Sequence, residues 1–270
     1  MTNPVPAVAT ATVPIRLEFS VEVPGTPEEV WAAIATAAGM SAWGLPTDLE
    51  ERLGGALCFH MGPGIESRGT VSGWDPPRRL EITEPDWAGL VGRPDAAVTP
   101  MLSEFLVEAR SGGTCVVRVV TSAFGTGADW ENEFVADMEN AWKPMFDHLR
   151  IYLTHFSGQH ATSIQVMAQV PGSVEDARAV LDRALGIRGD GDEVAVQGIR
   201  ARVDLFDAGR VVLHMSDPEP AMLVFAVYPT EEDAAVVRLG GFVYGAGAGA
   251  YVERETAAWQ AFLDGLAVTA

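Results

Sequence analysis

The chain has 270 residues, of which 48% are hydrophobic and 20% charged, as is ordinary for a globular protein. Its 18 basic and 37 acidic residues give a formal net charge of −19. This balance argues against nucleic acid and anionic membrane surfaces as partners, because both are bound largely through lysine and arginine. No apolar run reaches the roughly 18 residues that suggest a membrane span. The two cysteines form no disulfide framework, so a reduced, cytoplasmic setting is expected.

The first predicted elements are a leader, a strand and two helices. Residues 1–14 contain prolines and no basic residue, which predicts a disordered leader rather than a signal peptide. Apolar alternation predicts a strand at 15–23. Thr26 as N-cap and Pro27 at the first helical position then predict a helix. A second, short helix is expected to end near Trp43.

A run of short strands follows these helices. Glycine and proline turns separate most of them, which predicts an antiparallel meander. The predicted strands are 48–53, 56–61, 67–74, 79–84, 101–109 and 114–124.

A long amphipathic helix is predicted within residues 124–156, after a glycine-rich turn. Its apolar stripe consists of Trp130, Phe134, Met138, Trp142, Met145, Leu149, Tyr152 and Phe156. The opposite face is predicted to carry Glu131, Asp137, Glu139, Lys143, Asp147 and Arg150. Pro144 predicts a kink, or alternatively a helix that begins anew near Lys143.

The second half of the chain repeats the first in the same order. The segment VEVPGTPEEVWAAI at 21–34 corresponds to AQVPGSVEDARAVL at 168–181. The turn FGTGA before the long helix recurs as YGAGA, and Trp142 recurs as Trp259. The spacing between the copies shrinks along the chain, so the second copy is shorter. We therefore predict two tandem domains of one α+β fold, at 15–157 and 161–270.

Several motifs of the first domain occur in a recognisable order. They are Val23-Pro24-x-x-Pro27-x-x-Val30-Trp31, Trp43, Gly54-Gly55, Gly69-x-Val71, Asp75-Pro76-Pro77-Arg78-Arg79-Leu80 and Ala141-Trp142. With them, residues 15–155 resemble the SRPBCC or START-like helix-grip superfamily, and within it the family named after the activator of heat-shock protein 90 ATPase. The resemblance implies a curved antiparallel sheet that grips the long helix around a hydrophobic cavity. Members of the superfamily bind lipids, hormones, polyketides or proteins, and some are enzymes, so the fold does not settle the function.

The stripe of the long helix has two interpretations, a pocket wall and an ordinary core. Trp142 and Leu149 recur in the second copy, which indicates that the fold needs them, whereas Met138 becomes Glu255. We favour a pocket in the first domain. Its expected lining is Trp43, Phe59, Phe105, Phe134, Met138, Trp142 and Met145, with Glu84 and Ser103 as polar groups.

The polar candidates for chemistry are few. Strand parity places Ser103 inward and Glu84 at the cavity rim, with Glu255 as a third group to examine. A buried carboxylate would suit general acid–base catalysis, but a rim carboxylate in water is the favoured interpretation of Glu84. His148 and His155 are expected at the surface rather than at a metal. We predict no catalytic residue, cofactor or metal.

A second glycine motif invites a nucleotide interpretation. Gly245-x-Gly247-x-Gly249 lies between a predicted strand and a helix. A dinucleotide site requires a parallel βαβ unit, which does not follow here. The same pattern occurs in both copies, so we interpret it as the strand-to-helix turn.

The leading hypothesis is a cytoplasmic protein that binds a small hydrophobic molecule, lipid-like or polyketide-like, without catalysis. The second domain would be a scaffold or modulator. One alternative is a polyketide aromatase/cyclase-like enzyme, which requires polar residues to converge in one cavity. Another is a module that binds a chaperone or other protein, which requires an exposed apolar patch.

Overall fold

The computed structural model describes residues 11–62, 64–230 and 234–269. Most of the predicted leader, residues 1–10, lies outside this range, and the first strand begins at Val13, inside the predicted leader. Within the described residues, no helix is both long and apolar enough to cross a membrane. The chain divides into two compact units, Met1–Gly158 and Gln159–Ala270.

The first unit contains a seven-stranded antiparallel sheet and three α-helices. Its elements are β1 (Val13–Pro24), α1 (Pro27–Ala35), α2 (Ala37–Ser41), β2 (Thr47–Leu49), β3 (Ala56–Gly62), β4 (Ile65–Asp75), β5 (Arg79–Glu84), β6 (Met101–Arg110), β7 (Thr114–Gly125) and α3 (Asp129–His155). A short 3-10 helix, Trp87–Val91, lies between β5 and β6. The sheet order is β1-β7-β6-β5-β4-β3-β2. Strand β2 is shorter than predicted, because the chain turns at 52–55, where Gly55 N donates to the Arg52 carbonyl at 3.0 Å.

The second unit is a shortened version of the first. Its elements are β8 (Ala161–Pro171), α4 (Val174–Leu185), β9 (Glu193–Val196), β10 (Ile199–Phe206), β11 (Arg210–Asp217), β12 (Ala221–Pro229), β13 (Ala234–Tyr244) and α5 (Ala248–Thr269). The strands form a six-stranded antiparallel sheet in the order β8-β13-β12-β11-β10-β9. In its described part, this unit has no counterpart of α2, β2 or the 3-10 helix. The predicted fold class, two tandem α+β helix-grip domains, is confirmed.

The first helix of each unit begins with the same reciprocal cap. In α1, Glu29 N donates to Thr26 Oγ1 at 3.3 Å, and Thr26 N donates to Glu29 Oε2 at 2.7 Å. In α4, Ser173 and Asp176 make the same pair of bonds, at 3.1 Å each. Two backbone donors that the helix leaves unpaired are thereby satisfied in each copy. The two copies therefore share this pair of capping hydrogen bonds as well as their sequence pattern.

The long helix α3 continues without a break through Pro144. The alternative prediction of a helix that begins anew near Lys143 is therefore wrong. Phe134, Phe146 and Leu149 on this helix are buried. These side chains hold α3 on the sheet both before and after the proline.

Candidate ligand-binding groove

The inner face of the first sheet, which α3 covers, consists of alternate residues of each strand. Antiparallel pairing aligns these residues in rows across the sheet. The row at the N-terminal end of α3 contains Glu84, Met101, Ala123 and Ile15. The middle row contains Ile82, Ser103, Thr121 and Leu17. The next row contains Leu80, Phe105, Val119 and Phe19.

Aromatic contacts place α3 over these rows. The Phe134 ring lies 4.7 Å from that of Trp87, in a buried cluster that includes Met101 of the first row. The Trp142 ring stacks on Phe19 at 6.1 Å and meets Phe105 edge-on at 5.8 Å. Phe134 therefore covers the first row and Trp142 the third.

The middle of α3 is less buried than its ends. Met138, Trp142 and Met145 point toward the sheet side of the helix, yet all three are half-buried. Phe19, which stacks on Trp142, is half-buried as well. We call the surface formed by Phe19, Met138, Trp142 and Met145 the groove.

In the second unit, the residue that corresponds to Trp142 is fully packed by neighbouring side chains. Trp259, the counterpart of Trp142, is only 1% exposed. Phe225 and Phe262 pack against it edge-on, with ring centroids 5.9 and 5.8 Å away. Tyr251 and Leu266, on the same helix, are also buried. The two units thus place one shared architectural residue in two different environments.

A buried carboxyl group lies in the first row of the inner face. Glu84 is 7% exposed, and Ser67 Oγ donates a hydrogen bond to its Oε1. Gly69 makes room for it, since a Cβ there would lie 3.1 Å from Glu84 Cγ. Burial raises the pKa of Glu84, and the Ser67 hydrogen bond offsets that effect only in part.

The burial of Glu84 overturns the interpretation of a rim carboxylate in water. Glu84 is the last residue of β5, where a strand side chain would ordinarily meet solvent. The 3-10 helix that follows packs back against β4 and closes this end of the sheet. Trp87 of that helix is fully buried, and its Nε1 donates to the Thr99 carbonyl at 2.9 Å.

Two hydroxyl groups lie in the middle row. Ser103 Oγ and Thr121 Oγ1 are 3.0 Å apart, and both side chains are buried. Ser103 is the diagonal neighbour of Glu84 across β5 and β6, a spacing of about 7–8 Å between such residues. Ser67, Glu84, Ser103 and Thr121 are thus four of the polar side chains that lie buried on this sheet face. Strand parity predicts the direction of Ser103, but it does not single out Ser67 or Thr121.

Two other residues expected in the pocket, Trp43 and Phe59, lie outside these three rows. Trp43 is buried, and its Nε1 donates to the Ala33 carbonyl of α1 at 3.0 Å. The adjacent Gly44 lies close to Met145, whose Cε would be 3.4 Å from a Cβ at that position. Phe59 is half-buried on β3, opposite Ser67. Glu255 belongs to α5 of the second unit and forms an ion pair with Arg254 at 2.7 Å.

The helical pattern predicts that Glu131 lies on the charged face of α3. This prediction is wrong, because Glu131 is only 2% exposed. Its carboxylate accepts hydrogen bonds from Thr126 N at 2.9 Å, Thr126 Oγ1 at 2.9 Å and Gly127 N at 2.8 Å. Burial alone would raise the pKa of Glu131, but these bonds outweigh it and lower the pKa. A Cβ at Gly125 would lie 2.2 Å from Glu131 Oε2, which explains the first glycine of the turn.

The corresponding glycine turn of the second unit also encloses a carboxylate of the protein. A Cβ at Gly247 would lie 1.9 Å from Glu219 Oε1. Gly245 faces the same side chain, since a Cβ there would lie 3.2 Å from Glu219 Oε2. The glycines thus accommodate a protein carboxylate, and they form the strand-to-helix turn before α5.

The first unit can be assigned by comparison with known families. The model of the family described as Activator of Hsp90 ATPase homolog 1-like protein matches residues 24–154. The match runs from the end of β1 to Thr154 near the end of α3, and it includes Met138, Trp142 and Met145 of the groove but not Phe19. The first unit is similar to this family over these residues. The second unit of the chain is a degenerate copy of this helix-grip unit.

Similar solved structures include single-domain and di-domain proteins. The di-domain ARO/CYC BexL from the BE-7585A biosynthetic pathway has a TM-score of 0.45 and 15% identity, over 94% of this chain and 97% of that chain. The Aha1 dimer from Colwellia psychrerythraea has a TM-score of 0.41 and 16% identity, over 52% and 96%. Norcoclaurine synthase from Thalictrum flavum, in complex with dopamine and hydroxybenzaldehyde, has a TM-score of 0.43 and 15% identity, over 58% and 96%. A search among curated proteins finds no match.

Proposed function

We propose that the Hsp90-activator-like unit binds a small, largely apolar molecule in the groove, with a polar end at Glu84. The observation that carries this proposal is the contrast between half-buried Trp142 and fully buried Trp259. Aromatic and methionine side chains suit a ligand wall, because they offer large apolar area and, for methionine, adaptable shape.

The inner face also carries polar groups that can bind one end of such a ligand. Because burial raises the pKa of Glu84, its carboxyl keeps a proton at a higher pH than an exposed glutamate does. A protonated carboxyl donates a hydrogen bond, so a ligand carbonyl or hydroxyl oxygen fits this position. Ser103 and Thr121 add hydroxyl groups in the next row. The proposed ligand is therefore mainly apolar and carries one oxygen-bearing end.

The second unit has a different role in this proposal. Its long helix buries Tyr251, Trp259 and Leu263 completely against the sheet, which favours a scaffold over a second binding unit. A cytoplasmic location and a role in binding a protein partner remain predictions.

Native mass spectrometry of the purified chain, followed by extraction, tests the proposal. We expect one small molecule per chain, which is released on unfolding. Glu84→Leu removes the polar end and is expected to lower the bound fraction at least about tenfold, the effect of losing roughly 1.4 kcal/mol. Glu108→Leu, at an exposed glutamate near the other end of the sheet, is the matched control and keeps the molecule. Equal occupancy in both variants would contradict the proposed polar end.

A second candidate function is proton transfer on the bound molecule by Glu84. The convergence of Ser67, Glu84, Ser103 and Thr121 on one face favours it, because a cyclase-like enzyme requires several polar groups in one cavity. Glu84→Gln keeps the shape of the side chain but removes its exchangeable acid proton. If Glu84 transfers a proton, this variant retains an unreacted precursor that differs chemically from the compound in the wild type. If both proteins retain the same compound, the proton-transfer function is contradicted and only the binding function remains.

A further inference from the structure

A cluster of potential metal ligands lies on the outer face of the first sheet, opposite the groove. Strand pairing places Cys58 across from Asp48 and His60 across from Glu66, on β2, β3 and β4. The ligand atoms of Cys58, His60 and Glu66 lie within 4.8 Å of one another. The cluster combines a thiol, an imidazole and a carboxyl group, three ligand types that zinc accepts.

The hydrogen bonds of His60 determine which of its nitrogens faces the cluster. His60 Nε2 lies 2.9 Å from Asp48 Oδ2. The other ring nitrogen, Nδ1, lies 3.5 Å from Glu66 Oε1. His60 thus turns Nδ1 toward Glu66 and Nε2 toward Asp48.

We propose that Cys58, His60 and Glu66 bind a divalent transition metal ion with the ligand preferences of Zn²⁺. In tetrahedral zinc sites, metal–ligand distances of about 2.0–2.3 Å place the donor atoms roughly 3–4 Å apart. The present donors lie within 4.8 Å of one another, so metal binding requires them to move closer together. Three protein ligands leave a fourth position for water.

Two further residues orient the ligands. Asp48 holds His60 through Nε2, the usual arrangement of a metal-bound histidine. Arg68 Nη2 donates to Glu66 Oε2, which leaves Oε1 directed at His60. The Arg68 side chain is 73% exposed, so its positive charge is screened by solvent and salt. The net charge of −19 attracts cations to the chain as a whole.

The second unit has no equivalent of this site on its corresponding described strands. In the second unit, the paired strands β9 and β10 place Ala195 opposite Arg200 and Glu193 opposite Arg202. These positions offer one carboxylate beside two arginines, which does not make a metal site. Because the site lies on the outer face, its test does not depend on ligand binding in the groove.

Titration of the untagged full-length chain with Co²⁺ tests the site. We expect a near-ultraviolet thiolate-to-cobalt charge-transfer band that saturates at one equivalent of Co²⁺, together with visible bands of tetrahedral cobalt, and we expect Zn²⁺ to abolish the charge-transfer band. Cys58→Ser should abolish the charge-transfer band and weaken binding at least about tenfold. Cys115→Ser, at the other buried free cysteine, is the matched control and should change neither.

Asp48→Asn tests the orienting role separately. It should keep the charge-transfer band and weaken binding about tenfold, the lower end of the range for such partners. Circular dichroism of every variant checks that the fold is intact. If the wild type shows no saturable charge-transfer band with Co²⁺, the proposal is overturned. A folded Cys58→Ser variant that binds Co²⁺ as the wild type does would overturn it equally.

Discussion

Glu84 and Glu131 are both buried carboxyl groups, yet their surroundings shift their pKa values in opposite directions. Glu131 receives three hydrogen bonds from the turn before α3, which stabilise its charged form. Glu84 receives one, from Ser67, which does not outweigh the cost of burial. The number of donors therefore separates the structural carboxylate Glu131 from Glu84, the carboxyl group that we propose for a ligand.

Glu131→Gln should destabilise the first unit, more strongly at neutral pH than in acid. The folded-state pKa of Glu131 is lowered, so its contribution is present above the ordinary glutamate pKa and disappears as the pH falls through the lowered value. The expected loss at neutral pH is about 1.5–3 kcal/mol, the range for hydrogen bonds to a charged group. Urea unfolding at a series of pH values measures it. A loss that stays constant down to strongly acidic pH would contradict this account.

Glu84→Gln should show the opposite pH dependence. The folded-state pKa of Glu84 is raised, so the folded protein holds the proton more tightly and loses relative stability as the pH rises through that value. Glutamine does not ionise, so the variant should gain stability relative to the wild type between acidic and neutral pH. A tenfold difference in proton affinity between the folded and unfolded states corresponds to about 1.4 kcal/mol of this gain. The same urea titrations measure it, and a variant that loses relative stability over this range would disprove the assignment.

Helices α3 and α5 occupy equivalent places in their units but pack differently. In α5, Trp259 and Leu263 are fully buried, and the cluster around them extends through the second unit. In α3, Met138, Trp142 and Met145 are only half-buried between well-buried ends. Helix α3 thus combines the anchoring of a core helix with the half-buried surface that we propose a ligand covers.

Trp142→Ala and Trp259→Ala should therefore differ in cost. Removing a fully buried tryptophan typically costs about 3–5 kcal/mol, which we expect for Trp259. Trp142 buries less area, so its removal should cost roughly half as much. Hydrogen-exchange mass spectrometry measures the opening free energy of each unit in the same sample. Equal costs would mean that Trp142 is an ordinary core residue in solution.

The order of elements and the two tandem units follow from the sequence because they depend on local signals. The Thr26 cap, strand alternation and the glycine turns each act within a few residues. Such patterns do not predict the burial of Glu84, because this burial depends on the short 3-10 helix that follows β5. They do not predict the burial of Glu131, because helical periodicity assigns a charged residue to solvent, whereas its partners lie in the preceding turn. The His60 cluster depends on cross-strand register, which spacing along one strand does not show.

Across the whole chain, we propose different roles for the two copies of one fold: ligand binding for the first and a scaffold for the second. The first keeps the segment between β5 and β6, the buried polar groups and a half-buried helix surface. The second lacks that segment in its described part and fills its interior with side chains. Trp142 and Trp259 thus share a position in the repeat but not an environment.

Fluorescence titration with Nile red, a neutral apolar dye, tests this division most directly. Met138→Trp enlarges a half-buried side chain in the groove, whereas Phe262→Trp enlarges a half-buried side chain on α5. We expect the wild type and Phe262→Trp to bind one dye per chain with equal affinity, and Met138→Trp to bind at least about tenfold more weakly, because the larger side chain occupies the groove. Unchanged binding in Met138→Trp, or a loss confined to Phe262→Trp, would contradict a ligand site in the first unit.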